Sequence, residues 1–164
     1  MSTFARIGAL EWLFKLFPKH EFTIPPTVYE EIREAIRRGI AFLDSVLTAI
    51  DLGQIRLFPL AQEEKIETRS LPESFGLGES EAVAICIRRR AILLSNDKRV
   101  RNYCQTHGIE VYDLVRLLRA LWTEKVVSRQ RVQKIVAKIE QLEKLVIKRK
   151  GEIFKNNQPA RGRK

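Results

Sequence analysis

Apolar positions recur first at helical spacing and then in short blocks. The alternation of the two predicts a mixed α/β domain up to residue 127. Phe4, Ile7, Leu10, Phe14 and Phe17 predict one helix, stopped by Pro18. "EFTIPP" predicts a short strand that its prolines turn. A helix is expected from Thr27, with Glu30 completing a capping box and Gly39 as its stop. Residues 40–53 predict a further helix ending on Gly53, and 55–58 a strand. The polar stretch 61–76 predicts a surface loop or a ragged helix. After it come a helix over 77–90, a short buried strand over 91–95, a helix over 100–108 ended by Gly108, and a strand over 109–112. Asp113 is placed to cap the helix that follows. Strand, helix and strand at this spacing are the pattern of parallel strands with crossover connections.

Beyond Val127 the pattern changes. Ser128 is placed to cap one long helix reaching Lys150 and closed by Gly151. Val132, Ile135, Ile139, Leu142 and Val146 form a heptad-like stripe along it. That stripe has two readings: packing on its own domain, or meeting a partner helix, as in a homodimer. The organisation expected is therefore an α/β domain over 1–127, a basic amphipathic helix over 128–150 and a disordered basic tail over 151–164.

Charge adds to this picture. Residues 1–124 hold 17 basic and 17 acidic side chains, whereas 125–164 hold 13 basic and 3 acidic. The whole net charge of +10 thus lies in the C-terminal part. A basic tail on a neutral body fits sequence-independent contact with phosphate backbones, and it also fits a merely solvated tail. No apolar run approaches the ~18 to 20 residues of a membrane span, and no secretory signal is evident, so a cytoplasmic location is expected. Cys86 and Cys104 lack metal-ligand spacing and are expected as reduced, structural thiols.

The chemistry worth weighing is carboxylate chemistry. In open α/β sheets, sites form beyond the C-terminal ends of parallel strands, and Asp97 stands two residues past one. Lys98, Arg99 and Arg101 follow it at once. They can contact a polyanion or simply face solvent. Glu31 is the better candidate beside the capping Glu30, although pairing with Arg33 or Arg38 would also explain it. Glu79 and Glu81 lie in the first turn of their helix, where negative charge is favoured in any case. Carboxylates gathered at one sheet end repel unless a cation sits between them, and Mg²⁺ or Mn²⁺ suits oxygen donors and substrate phosphate. No phosphate-cradling glycine loop, nucleophile elbow or zinc-protease helix is present.

"FTIPPTVYEEI", "GLGESEAVAI" and "AILLSNDKRVR", in this order, resemble the PIN-domain family, in particular its VapC-like branch of prokaryotic nucleases. The likeness covers roughly residues 4–128. It implies a three-layer α/β/α fold around a central parallel sheet, followed here by the basic helix. It also implies a Mg²⁺- or Mn²⁺-dependent endoribonuclease, often a toxin held in check by an antitoxin protein. Carried over residue by residue, the family's acids fall on Glu31, Glu81 and Asp97, with Glu79 the alternative register for Glu81. These are the expected catalytic residues and metal ligands. Asn96 stands where the family has a small polar residue, and with Lys98, Arg99 and Arg101 it forms the expected RNA-binding group.

One departure stands out. Family members begin with a hydrophobic strand ending in an aspartate, whereas this sequence begins "MSTFARIG". A sheet without its middle strand and an activity lowered by orders of magnitude are expected of the chain as it stands. The alternative function is a non-catalytic nucleic-acid-binding or interaction protein of the same fold.

Overall fold

A computed structural model describes residues 1–155. Contacts divide the chain after Leu114, earlier than the break expected at residue 127. The first unit runs from Met1 to Leu114. It opens with α1 (Ser2–Arg6) and α2 (Leu10–Leu16), then β1 (Phe22–Ile24) and α3 (Pro26–Arg37). A 3₁₀ turn (Ala41–Leu43), α4 (Asp44–Asp51), β2 (Ile55–Leu57) and α5 (Gln62–Thr68) follow. α6 (Leu77–Arg89), β3 (Leu93–Leu94), α7 (Lys98–Thr106) and β4 (Val111–Tyr112) complete it, and α8 (Leu114–Thr123) begins at its edge.

Most of the expected elements are present, with instructive exceptions. The single helix expected from Phe4 to Phe17 is broken in two, because Gly8 takes φ +69° between α1 and α2. The expected capping box at Thr27 does not form. Pro26 starts α3 instead, Glu30 pairs with Arg33 at 3.6 Å, and the Thr27 hydroxyl reaches another helix. The polar stretch 61–76 contains the well-formed α5, started by Glu64, which accepts from the Ala61 N–H at 2.7 Å. The same carboxyl is buried against Arg89, whose guanidinium holds it below the usual carboxylate range. Of the two readings of this polar stretch the helix holds for 62–68, and its buried anchor is a charged residue, Glu64.

The resemblance implied a central parallel sheet short of its middle strand. β1 pairs in parallel with β2, and β3 pairs in parallel with β4, as two separate two-stranded sheets. Both pairings have the crossover helices that the alternation of elements implied. A core of Leu71, Phe75, Val83, Ala84, Cys86, Leu93, Val100, Cys104 and Val111 joins α6 and α7 to β3 and β4.

The second unit, from Val115, contains most of α8, then α9 (Arg129–Glu143) and α10 (Lys150–Ile153). Ser128 caps α9 as expected, accepting from the Arg131 N–H at 3.1 Å. The helix ends at Glu143 rather than Lys150, because Lys144 turns left-handed at φ 50°. Val132, Ile135 and Ile139 of the expected stripe are buried, while Leu142 and Val146 are exposed. Trp122 donates its indole N–H to the Ile153 carbonyl at 2.7 Å, so residues expected in a disordered tail fold back as α10. The rest of that tail lies outside the described residues. Arg90 ends α6 in the same left-handed way, at φ 52°, and Lys125 follows α8 at φ 59°.

Cys86 and Cys104 are free and buried, and burial together with the charge of Cys104 pushes the Cys86 thiol up to about 12. A thiol held protonated reacts slowly, since the thiolate is the nucleophile. At about pH 8, near the intrinsic value of an exposed thiol, an aromatic disulfide reagent should leave both cysteines unmodified in the native protein and label both in denaturant. Rapid labelling of the native chain would contradict this burial.

Candidate functional site

The site is set by the approach of α6 to α3. Gly78 lies in the first turn of α6, and a Cβ there would come within 2.8 Å of the Val28 methyl group. It would also meet the two carboxylate oxygens of Glu31 at 3.2 and 3.3 Å. Only glycine lets the helices come this close and seats the Glu31 carboxylate at the N-terminus of α6, where the helix dipole favours negative charge. Glu31 makes no hydrogen bond or ion pair among the described residues, and it is exposed.

Glu81 fixes the same junction from the other side. Its carboxylate accepts from the Thr27 N–H at 3.1 Å and from the Thr27 hydroxyl at 2.8 Å. The backbone donor is one that the first turn of α3 leaves without an intrahelical partner. Glu81 is thus a cap supplied from a neighbouring helix, 54 residues along the chain. Glu79 closes the local capping box of α6, accepting from the Gly76 N–H at 3.0 Å.

Beyond β3 the chain turns at Ser95, whose hydroxyl accepts from the Asp97 N–H at 3.2 Å. Asp97 is the N-cap of α7, accepting from the N–H groups of Val100 at 3.1 Å and Arg99 at 2.7 Å. These two bonds, with the Arg99 guanidinium 3.6 Å away, hold its carboxyl below the usual carboxylate range. Asn96 accepts from the Leu114 N–H at 2.8 Å. Arg101 is turned inward onto the buried Asp113, donating at 2.5 Å. Lys98 and Arg99 are exposed at this end of the domain.

A cleft of about 280 Å³ gathers part of this set. Glu31, Gly76, Gly78, Glu79 and Ser95 line it, at the C-terminal end of β3. The structure thus brings Glu31 and Glu79 to one cleft, whereas the Glu81 carboxylate is taken up by Thr27 and that of Asp97 by α7. Sequence alone passed over Gly78 and Ser95. "GLGES" held the only signal for the first, a glycine at the second position of a helix.

Carboxylate oxygens are the donors that Mg²⁺ and Mn²⁺ take, yet among the described residues no three His, Cys, Asp or Glu side chains are grouped to hold a metal ion. The arrangement does not fit one ion held jointly by Glu31, Glu81 and Asp97.

Parallel strand pairs crossed by helices, with acids around the C-terminal end of β3, define an α/β domain. The family model DUF3368, described as a PIN domain, matches residues 1–150. The protein belongs to the PIN-domain family. No curated protein and no solved structure matches the chain. No helix among the described residues is long and apolar enough to cross a membrane.

Two outcomes check this geometry. Gly78→Ala should lower unfolding free energy by about 1–3 kcal/mol, the usual effect of forcing a methyl into a filled contact; chemical denaturation measures it. The second concerns pH. Asp97 has a lowered native pKa, so its contribution is complete above its unfolded value of about 3.9 and is lost as pH falls through the native value. Asn caps a helix about as well as Asp. Asp97→Asn should therefore leave α7 formed and flatten the loss of stability below about pH 4. An unchanged acid slope would show that the Asp97 charge does not stabilise the fold.

Proposed function

We propose that the protein is an endoribonuclease of the VapC toxin kind, hydrolysing RNA phosphodiester bonds in the cytoplasm with Mg²⁺ or Mn²⁺ as cofactor. The observation that carries this reading is the unpaired Glu31 carboxylate, seated on Gly78 at a cleft beyond β3, in a chain of the PIN-domain family. Glu31, Glu81 and Asp97 form the acidic set. Of these, Glu31 can take a proton from an attacking water without first giving up an internal hydrogen bond. The exposed Lys98 and Arg99 hold the RNA backbone through contacts that position it without reading its bases. Asn96 and Arg101 support the same surface, the one by capping α8 and the other through Asp113. As a toxin, it works under an antitoxin protein.

The second reading is a non-catalytic RNA-binding protein. It is favoured by the carboxylates of Glu81 and Asp97, both occupied by backbone N–H groups.

Cleavage of a labelled, structured RNA under Mn²⁺ titration separates the two. The nuclease reading expects manganese-dependent cleavage that Glu31→Gln lowers roughly 100-fold or more, the range of a lost acid–base group. Salt-sensitive RNA retention with no cleavage at any Mn²⁺ concentration would instead establish the binding protein.

A further inference from the structure

Large apolar side chains left in water are spread thinly over this protein, except at the end of α9. There Leu142, Leu145 and Val146 are 43, 40 and 77% exposed, and among the described residues no other three fall within five positions of the chain. A leucine exposed on its own needs no explanation, whereas a group of apolar side chains held in solvent marks an interaction surface.

The display of this group is built into the fold. Lys144 turns left-handed at φ 50°, and the chain leaves the helix there. Ile147 is buried, and its N–H donates to the Glu140 carboxylate at 3.1 Å. The other oxygen of that carboxylate accepts from the Lys150 ammonium at 2.6 Å. One acid thus pins the chain at residues 147 and 150, and Leu145 and Val146 are left as a tip between the helix end and the first of these pins.

Charge around the tip is mostly positive. Residues 129–155 hold nine basic and three acidic side chains. Two of the acids, Glu140 and Glu152, are engaged with Lys150 and Arg149, and Glu143 is the third. Lys144 and Lys148 flank the tip, exposed and without an ion pair among the described residues.

A surface that fits this pattern offers anions and apolar material together. A second copy brings the same cations, and like charges oppose the apolar contact. Nucleic acid brings phosphates, but its unpaired bases are held by aromatic and guanidinium planes, and none of the large exposed apolar residues is aromatic. An anionic bilayer offers both components, headgroup charge outside and acyl chains just beneath. Lysine stems can lie along the apolar layer while their ammonium groups stay among the headgroups.

We propose that residues 142–148 form a peripheral docking site for an anionic lipid bilayer. Leu142, Leu145 and Val146 enter the interface, and Lys144 and Lys148 meet lipid phosphates beside them. Attachment of this kind lies on the membrane surface and needs no spanning helix.

The test mixes the whole chain with sedimentable vesicles, one set of phosphatidylcholine alone and one containing about a third phosphatidylglycerol. The chain should pellet with the anionic set and roughly tenfold less with the neutral one. Val146→Glu changes a side chain that mostly meets water, so the fold is kept, and it should weaken binding to the anionic set roughly tenfold or more. Replacing Lys144 and Lys148 together by Gln should weaken it several-fold. Val146→Trp reads insertion directly: anionic vesicles should move its emission to shorter wavelength, beyond any change in the parent chain.

An absence of pelleting with the anionic set would overturn the proposal. So would pelleting that Val146→Glu leaves unchanged, since charge elsewhere in the chain would then hold the vesicle. Self-association without vesicles, abolished by Val146→Glu, would assign the tip to a second copy. Weaker RNA retention in that variant, with vesicle binding unaltered, would assign it to nucleic acid. Either result overturns the bilayer as its partner.

Discussion

Two helices from distant parts of the chain meet at Gly78, and the first unit is arranged around that meeting. The absence of a side chain there sets the distance between α3 and α6, and the Thr27–Glu81 hydrogen bonds set their rotation. Neither device works without the other. A methyl at Gly78 would lift α6 off Val28, and loss of the Glu81 carboxylate would leave donors at the start of α3 unsatisfied in a partly buried place. The position of Glu31 follows from both. Glu31, without a hydrogen bond or ion pair among the described residues, is held by packing, while Thr27 and Glu81 carry the junction.

That division of labour explains why the candidate site was only partly legible in the sequence. Asp97 was placed correctly at a strand end, and its use as the cap of α7 is compatible with that position. Glu81 was singled out by its likeness to a family motif, while its bond to Thr27 depends on an approach of two helices that no local pattern encodes. Thr27 shows the same limit from the other side. It had a good local partner in Glu30, and the tertiary partner won because Pro26 moved the start of the helix back by one residue. Arg101, expected to face RNA, is held by Asp113, twelve residues on.

The fold was more legible than the site where glycine and proline punctuate the chain, and less so where charge carries the anchoring. Gly39 and Gly53 mark their boundaries as expected. α5 was left open between a loop and a ragged helix because its inward residue is Glu64, made tolerable by Arg89 and the N–H of Ala61. The strands of the second sheet are only two residues long, so their pairing contributes few hydrogen bonds, and the surrounding helices hold that region through the core of α6 and α7. The central sheet, short of its middle strand, was what the family resemblance implied, and apolar runs do not reveal how far pairing extends.

Besides the glycines that end other helices, three non-glycine residues among the described ones turn left-handed after a helix, and all three are cations: Arg90, Lys125 and Lys144. Glycine would adopt this conformation with less strain, by roughly 1 kcal/mol per position. A positive charge at a helix C-terminus recovers a similar amount through the dipole, but only while it is unscreened. The two contributions respond differently to the medium. Rising ionic strength removes the attraction and leaves the backbone strain in place, so these chain reversals tie the firmness of the helix ends to the salt around them.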